Sequence, residues 1–397
     1  MWIALCLVPA AWMLAEPPQV DLDPRPVGDT PRADVTRPGS GSSDGSGSGS
    51  GSGTTRPGTG TVFDRPILTF PVTALSPWTE WAYVWSDQAS KASFDPSAAY
   101  SFNSKKGKNR VTRSGTGQYQ VVLGGMAQRG GHVQVTAYGT TGDYCNVRRW
   151  GPSGRDQQVL VDCFGPTGQA KDGRFSLFFT GPMSKAGWGA YAWASGQNQP
   201  KITGAYHWSA AGKDIAVKKL GTGTYEVSFA GLGAGTGAKK GANVQVTAYG
   251  GSHACLPTMW SSRGQDLVTQ VRCTDAAGRA ADGRFNILAT WPAQSLGYVW
   301  ADKATAASYS PSPTYAHNGA GGGTTIKRTD TGAYQVTFAG LADKRNTGAN
   351  VQVTAYAAGR CRVAGWSKSS KDMVVRVHCT DEAGRAKDQR FSALAIW

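Results

Sequence analysis

Three observations predict an all-β protein: three tandem β-sandwich or jelly-roll-like domains, one disulfide each, behind a disordered Gly/Ser/Pro-rich tether. The first is a unit of about 45 residues that occurs three times. It reads His132-Val-Gln-Val-Thr-Ala-Tyr138, Cys145, Trp150, Asp156, Cys163 and Asp172-Gly-Arg-Phe175 in copy 1. Copy 2 reads Asn243-Val-Gln-Val-Thr-Ala-Tyr249, Cys255, Trp260, Asp266, Cys273 and Asp282-Gly-Arg-Phe285. Copy 3 reads Asn350-Val-Gln-Val-Thr-Ala-Tyr356, Cys361, Trp366, Asp372, Cys379 and Asp388-Gln-Arg-Phe391. The second observation is composition. Glycine is abundant, with 53 residues in 397, and β-branched and aromatic residues recur in short alternating runs. The third is cysteine use, since six of the seven cysteines fall in pairs 18 residues apart.

Taken in chain order, residues 1–15 (MWIALCLVPAAWMLA) form a signal-like segment without a basic start. It is too short for a transmembrane helix, so none is expected in the mature protein. Residues 16–62, with a Gly/Ser run from Gly39 to Gly53, have almost nothing apolar to bury and are expected to be a disordered linker. The repeats are placed at 63–183, 184–292 and 293–397. Their first cysteines stand 110 and then 106 residues apart, the length of a whole domain rather than of a propeller blade.

Each copy opens on a short aromatic strand: Tyr83-Val-Trp85, Tyr191-Ala-Trp193 and Tyr298-Val-Trp300. A glycine-led hairpin follows, in which alternation puts Tyr225, Val227 and Phe229 on one face and Glu226 and Ser228 on the other. In the next strand Val244, Val246 and Ala248 lie opposite Gln245, Thr247 and Tyr249. The strand into the last cysteine turns Met373, Val375, Val377 and Cys379 inward. Six to eight short strands are expected per copy, and no helix.

Of the connectivities open to six cysteines, the repeat favours pairing within copies: Cys145–Cys163, Cys255–Cys273 and Cys361–Cys379. The rival, metal binding, would want CxxC spacing or matched histidines, and neither recurs. No metal site and no cofactor are predicted. A bridge of this spacing suits the base of a long loop and stabilises by roughly 3 kcal/mol. Disulfides imply an oxidising compartment, so the protein is expected to be secreted or at the cell surface.

The pattern YVWA…GxYxVxF…NVQVTAY…C…W…D…C…DxRF resembles a repeat of secreted bacterial proteins. The resemblance runs from Trp81 to Trp397 and implies an exported, β-rich repeat protein, secreted or on the exterior of a bacterial envelope. It brings no activity with it.

Charge narrows the partner. Residues 63–397 hold 37 of the 41 basic and 20 of the 26 acidic side chains, a formal +17. A field of that sign favours anionic polymers. A signal, a tether and disulfides argue against nucleic acid. Trp150, Trp260 and Trp366 are flanked by Arg148, Arg149, Arg155, Arg263, Lys368 and Lys371. An indole can stack on a sugar face while a neighbouring cation meets a carboxylate or sulfate. The competing role for each indole is packing over its disulfide. Asp156, Asp266 and Asp372 suit turn or cap hydrogen bonds, and Asp172, Asp282 and Asp388 suit a local ion pair with the arginine two residues on. No catalytic residues are assigned, because the five histidines occupy unmatched positions. The expected function is a secreted, non-catalytic, multivalent binding or adhesion protein for a polysaccharide or anionic surface polymer. The alternatives are a secreted polysaccharide-active hydrolase or lyase and a structural envelope component.

Overall fold

The computed structural model describes residues 76–184, 189–233, 241–342 and 348–397. The signal-like segment, the linker and most of the glycine-rich insertion at 231–241 lie outside them. The chain from Pro66 to Trp397 forms one compact unit.

Each copy is an antiparallel β-sandwich. In copy 2 one sheet orders His207–Ser209, Gly189–Ala194, Arg284–Thr290 and Asn243–Tyr249 side by side. The other orders Ile215–Gly221, Thr224–Phe229, Asp266–Thr274 and Ala254–Arg263. Copies 1 and 3 repeat this arrangement, and their second sheets each gain a two-residue edge strand. The inner faces follow the alternation. Along Thr224–Phe229 every second residue is buried, ending in Tyr225, Val227 and Phe229, which are 0% exposed. Three apolar cores result, one per copy, each containing its own cysteines.

All three disulfides form within copies. They do not close the base of a loop, as the spacing suggested. Cys145 and Cys163 are directly opposite on the paired strands Tyr144–Ser153 and Asp156–Phe164, with Cα atoms 4.0 Å apart. The 17 residues between them are a long two-stranded ribbon, and the bridge staples its root. A register shift between Val147 and Arg149 interrupts the ribbon, and copies 2 and 3 carry the same shift at Pro257/Met259 and Val363/Gly365.

The copies do not simply follow one another; they close into a ring. Gly250 N donates to Val147 O, Ala357 N to Pro257 O and Gly139 N to Val363 O. Copy 2 thus joins copy 1, copy 3 joins copy 2, and copy 1 joins copy 3. Two of these junctions are parallel bridges that fuse sheets of different copies into nine-stranded sheets. The unit therefore has a pseudo-threefold axis.

The VQVTAY strands surround that axis. Their polar side points away from each sandwich, as alternation requires, yet it is buried: Gln134, Gln245 and Gln352 are at most 1% exposed. Thr136 donates to Gln352 Oε1, Thr247 to Gln134 Oε1 and Thr354 to Gln245 Oε1. The same hydroxyls accept from Val353 N, Val135 N and Val246 N, each at 3.1 Å. Every threonine hydroxyl of this face is engaged across a junction, so a polar core that would otherwise be costly becomes a register device. Further along the axis, Tyr83, Tyr191 and Tyr298 meet Phe178, Leu288 and Leu394 in a fourth apolar core shared by all copies.

Candidate functional site

The three candidate tryptophans are not exposed. Trp150, Trp260 and Trp366 are 5%, 6% and 7% exposed, which leaves no ring face for a sugar. Each is inserted into aromatic side chains of the next copy. Trp366 meets Trp85, Tyr100 and Tyr138 edge-on, with ring centroids 5.5–5.7 Å away. Trp150 meets Tyr206 and Tyr249, beside which Trp193 packs. Trp260 meets Trp300, Tyr315 and Tyr356. Two indole N–H groups are fixed as well, Trp150 to Gly130 O at 2.8 Å and Trp366 to Gly348 O at 2.5 Å. The segments expected to be loops are ribbon strands, and a bulge decides which side of the ribbon each indole takes. Strict alternation from Cys145 would turn residue 149 inward and Trp150 out; the extra residue at 148 reverses them.

The DxRF arginines complete these seams. Arg174, Arg284 and Arg390 lie 5.1, 5.4 and 4.8 Å from the ring centroids of Tyr138, Tyr249 and Tyr356. They do not pair with the aspartates two residues earlier. Asp172 instead takes Arg113 Nε at 2.9 Å, and Asp388 takes Arg328 Nε at 2.9 Å, while Lys219 holds Asp282 at 2.6 Å. Burial would raise the Asp172 carboxyl, but bonds from Arg113, Gly117 and Tyr119 outweigh it and hold it below the usual range. Asp156, Asp266 and Asp372 accept from Gly125, Gly231 and Gly340 N, the turn role expected of them.

The six candidate cations stay outside the seams. Arg149, Arg155, Arg263, Lys368 and Lys371 are exposed. Arg148 is 3.4 Å from Asp162, and Arg263 forks onto Glu226 at 3.0 and 3.1 Å. Arg155, Arg263 and Lys371 mark the tips of the three cysteine ribbons, where two-residue turns place Gly154, Gly264 and Ser370 at φ near +60°. The structure thus separates the indoles, which repeat at one position in all three copies, from the cations, which number three, one and two in copies 1, 2 and 3 and share no position across all three.

A site that occurs once lies on the axis. A cavity of about 80 Å³ is bounded by Thr136, Thr247 and Thr354 and by the roots of the three ribbons. Here the copies diverge. The residue before the first cysteine is Tyr144, Ala254 or Arg360, and the residue after it is Asn146, Leu256 or Arg362. Arg360 caps the axis, donating to Pro166 O, Glu382 O and Ala276 O, the equivalent carbonyls of all three copies, at 2.9–3.0 Å. Its guanidinium lies 4.1 Å from the Tyr144 ring centroid. Arg362 is deeper, 2% exposed, and donates through Nη2 to Thr380 Oγ1 at 3.0 Å. Burial pulls both guanidinium pKa values down, that of Arg362 to about 10. These residues escaped sequence reasoning. The available signal was the divergence on either side of a strictly repeated cysteine.

Fold and seams define the class: a disulfide-stapled, single-chain pseudo-trimer of β-sandwiches. No family model, curated protein or solved structure matches the chain. Among the described residues no helix is long and apolar enough to cross a membrane, and no group of three or more His, Cys, Asp or Glu could hold a metal.

Proposed function

We propose that this is a secreted, non-catalytic, multivalent binding protein for an anionic polysaccharide or surface polymer, and that its contacts are ionic. The carrying observation is an exposed cation at each of the three ribbon tips, at positions not matched across all copies and with that of copy 2 shared with Glu226, on a unit with a formal charge of +17 over residues 63–397. One rigid unit presenting three weak basic contacts gains strength by avidity. The tryptophans serve the seams, so recognition does not depend on stacking.

The test is a pull-down of the whole chain on insoluble chitin, cellulose, peptidoglycan and acidic polysaccharides at low and high salt. The supernatant is assayed for released sugar. Retention on the acidic polymers should fall steeply with salt, and the Arg155→Ala/Arg263→Ala/Lys371→Ala variant should lose it while staying folded. Salt-resistant retention that survives the triple variant refutes the ionic contact. Release of sugar replaces binding with the hydrolase or lyase reading.

A further inference from the structure

We propose that the axial cavity is a binding site for one small oxyanion, a carboxylate, sulfate or phosphate group, held by the guanidinium of Arg362. Arg362 carries a charge at a position that is 98% buried, since 2% of the residue is accessible. Only its Nη2 is engaged, on Thr380 Oγ1. Its Nε and Nη1 have no partner among the described residues. A buried ion is tolerated when a counter-charge and hydrogen bonds compensate the loss of water.

The neighbouring carboxylates are committed elsewhere. Asp143, at the cavity wall, attracts Arg362 through space, but its oxygens bond Lys171 Nζ at 2.9 Å and Thr141 Oγ1 at 2.8 Å and none bonds the guanidinium. Asp381 pairs with Arg385 at 2.8 Å, and Glu382 Oε1 accepts from Gly359 N at 3.1 Å. Arg360 adds a second buried cation to the wall, with its own Nε unpartnered among the described residues. The threonine hydroxyls of the polar floor accept backbone N–H groups of neighbouring copies, and none of them accepts from Arg362. The cavity is therefore left with positive charge and free N–H donors.

Size and shape set the class of ligand. A cavity of about 80 Å³ has room for several water-sized groups, enough for a compact oxyanion and too little for a polymer segment. A planar fork of N–H donors suits oxygen acceptors carried on one central atom. The site is also asymmetric by sequence. Copies 1 and 2 place Asn146 and Leu256 where copy 3 places Arg362, so one ligand per chain is expected. Asn146 is spoken for by Gly251 O and His253 O, and it steadies the wall opposite.

The experiment is calorimetric titration and thermal unfolding of the whole chain with sodium sulfate, inorganic phosphate and acetate, at ionic strength matched with sodium chloride. Saturable binding of one equivalent with a raised unfolding midpoint is expected for at least one oxyanion. The three arms tell a tetrahedral from a planar preference. Arg362→Leu, which installs the residue of the equivalent Leu256 position, should abolish the response. Arg362→Lys, which keeps charge and loses the fork, should weaken it by about tenfold or more. Arg155→Ala/Arg263→Ala/Lys371→Ala should leave it intact, which separates this site from the polymer contacts. An absence of saturable binding, an equal shift in chloride alone, or an undiminished response in Arg362→Leu overturns the proposal.

Discussion

The seams and the axial cavity are built from the same three copies, yet they differ in how the copies use them. At each seam the contributions are equivalent: a ribbon tryptophan, two tyrosines, a strand tryptophan and an arginine over one of the tyrosines. In the cavity the equivalent positions hold chemically unlike residues, Tyr144/Ala254/Arg360 and Asn146/Leu256/Arg362. Assembly requires the same contact three times, so repeats satisfy it. An axial position is visited by three side chains at once, and three arginines there would repel. A threefold scaffold thus offers symmetric places for holding together, and at the ribbon roots around the axial cavity that symmetry is broken.

The largest effect should come from breaking a seam. Trp366→Ala empties an interlocked aromatic site and should cost about 3–5 kcal/mol in denaturant unfolding. Trp150→Ala and Trp260→Ala should cost about as much. If one of them is neutral, the equivalence of the seams fails.

Removing one staple comes next. Cys145→Ala/Cys163→Ala should cost roughly 3 kcal/mol on the chain-entropy view, with the ribbon root loosened and the other two copies still oxidised. Mass spectrometry with and without reductant reports the remaining bridges. Thr354→Val tests the polar axis. It leaves Gln245 Oε1 and Val246 N without their partner and should cost about 1–3 kcal/mol. A neutral result would mean that the axial ring does not set the register between copies.

His132 sharpens the comparison through pH. It replaces the asparagine of the other copies, is fully buried, and burial pushes its pKa from 6.5 to about 3. Its Nε2 faces the Gln134 amide nitrogen at 2.8 Å, so the ring accepts there and stays neutral. Between pH 6.5 and 3 the unfolded chain binds the proton and the folded chain does not. Stability therefore falls as pH drops through that window, with a slope from this group of up to about 1.4 kcal/mol per pH unit. His132→Asn should flatten the profile between pH 6 and 4 relative to the parent, as read by urea midpoints at each pH (window from about 3 to 6.5). Identical slopes would remove His132 from the acid response.

Much of this architecture could be read from spacing. The strands, their inward faces and the cysteine pairs follow from period-two alternation and a motif repeated three times. Asp156, Asp266 and Asp372 do take a turn role, but on glycines 31, 35 and 32 residues away, just past the neighbouring strand, so only the role and not the partner was legible. The tryptophans were misread because their basic segments were taken for a loop, whereas each lies on a ribbon strand whose face the next copy covers. The DxRF aspartates were misread because their cations come from strands 59, 63 and 60 residues away. Alternation separated the polar face of VQVTAY from the apolar one without saying what covers it. One sandwich alone would expose it; three sandwiches bury it.

The sequence by itself determined what is local and periodic: all-β structure, three equivalent sandwiches and one staple in each. Ring closure belonged to the tertiary structure, because the three hydrogen-bonded junctions and the aromatic seams join residues of different copies. So did the axial cavity and the solitary guanidinium of Arg362. A linear pattern encodes which side of a strand a residue takes. It does not encode what covers that side, and here the cover is another copy of the same fold.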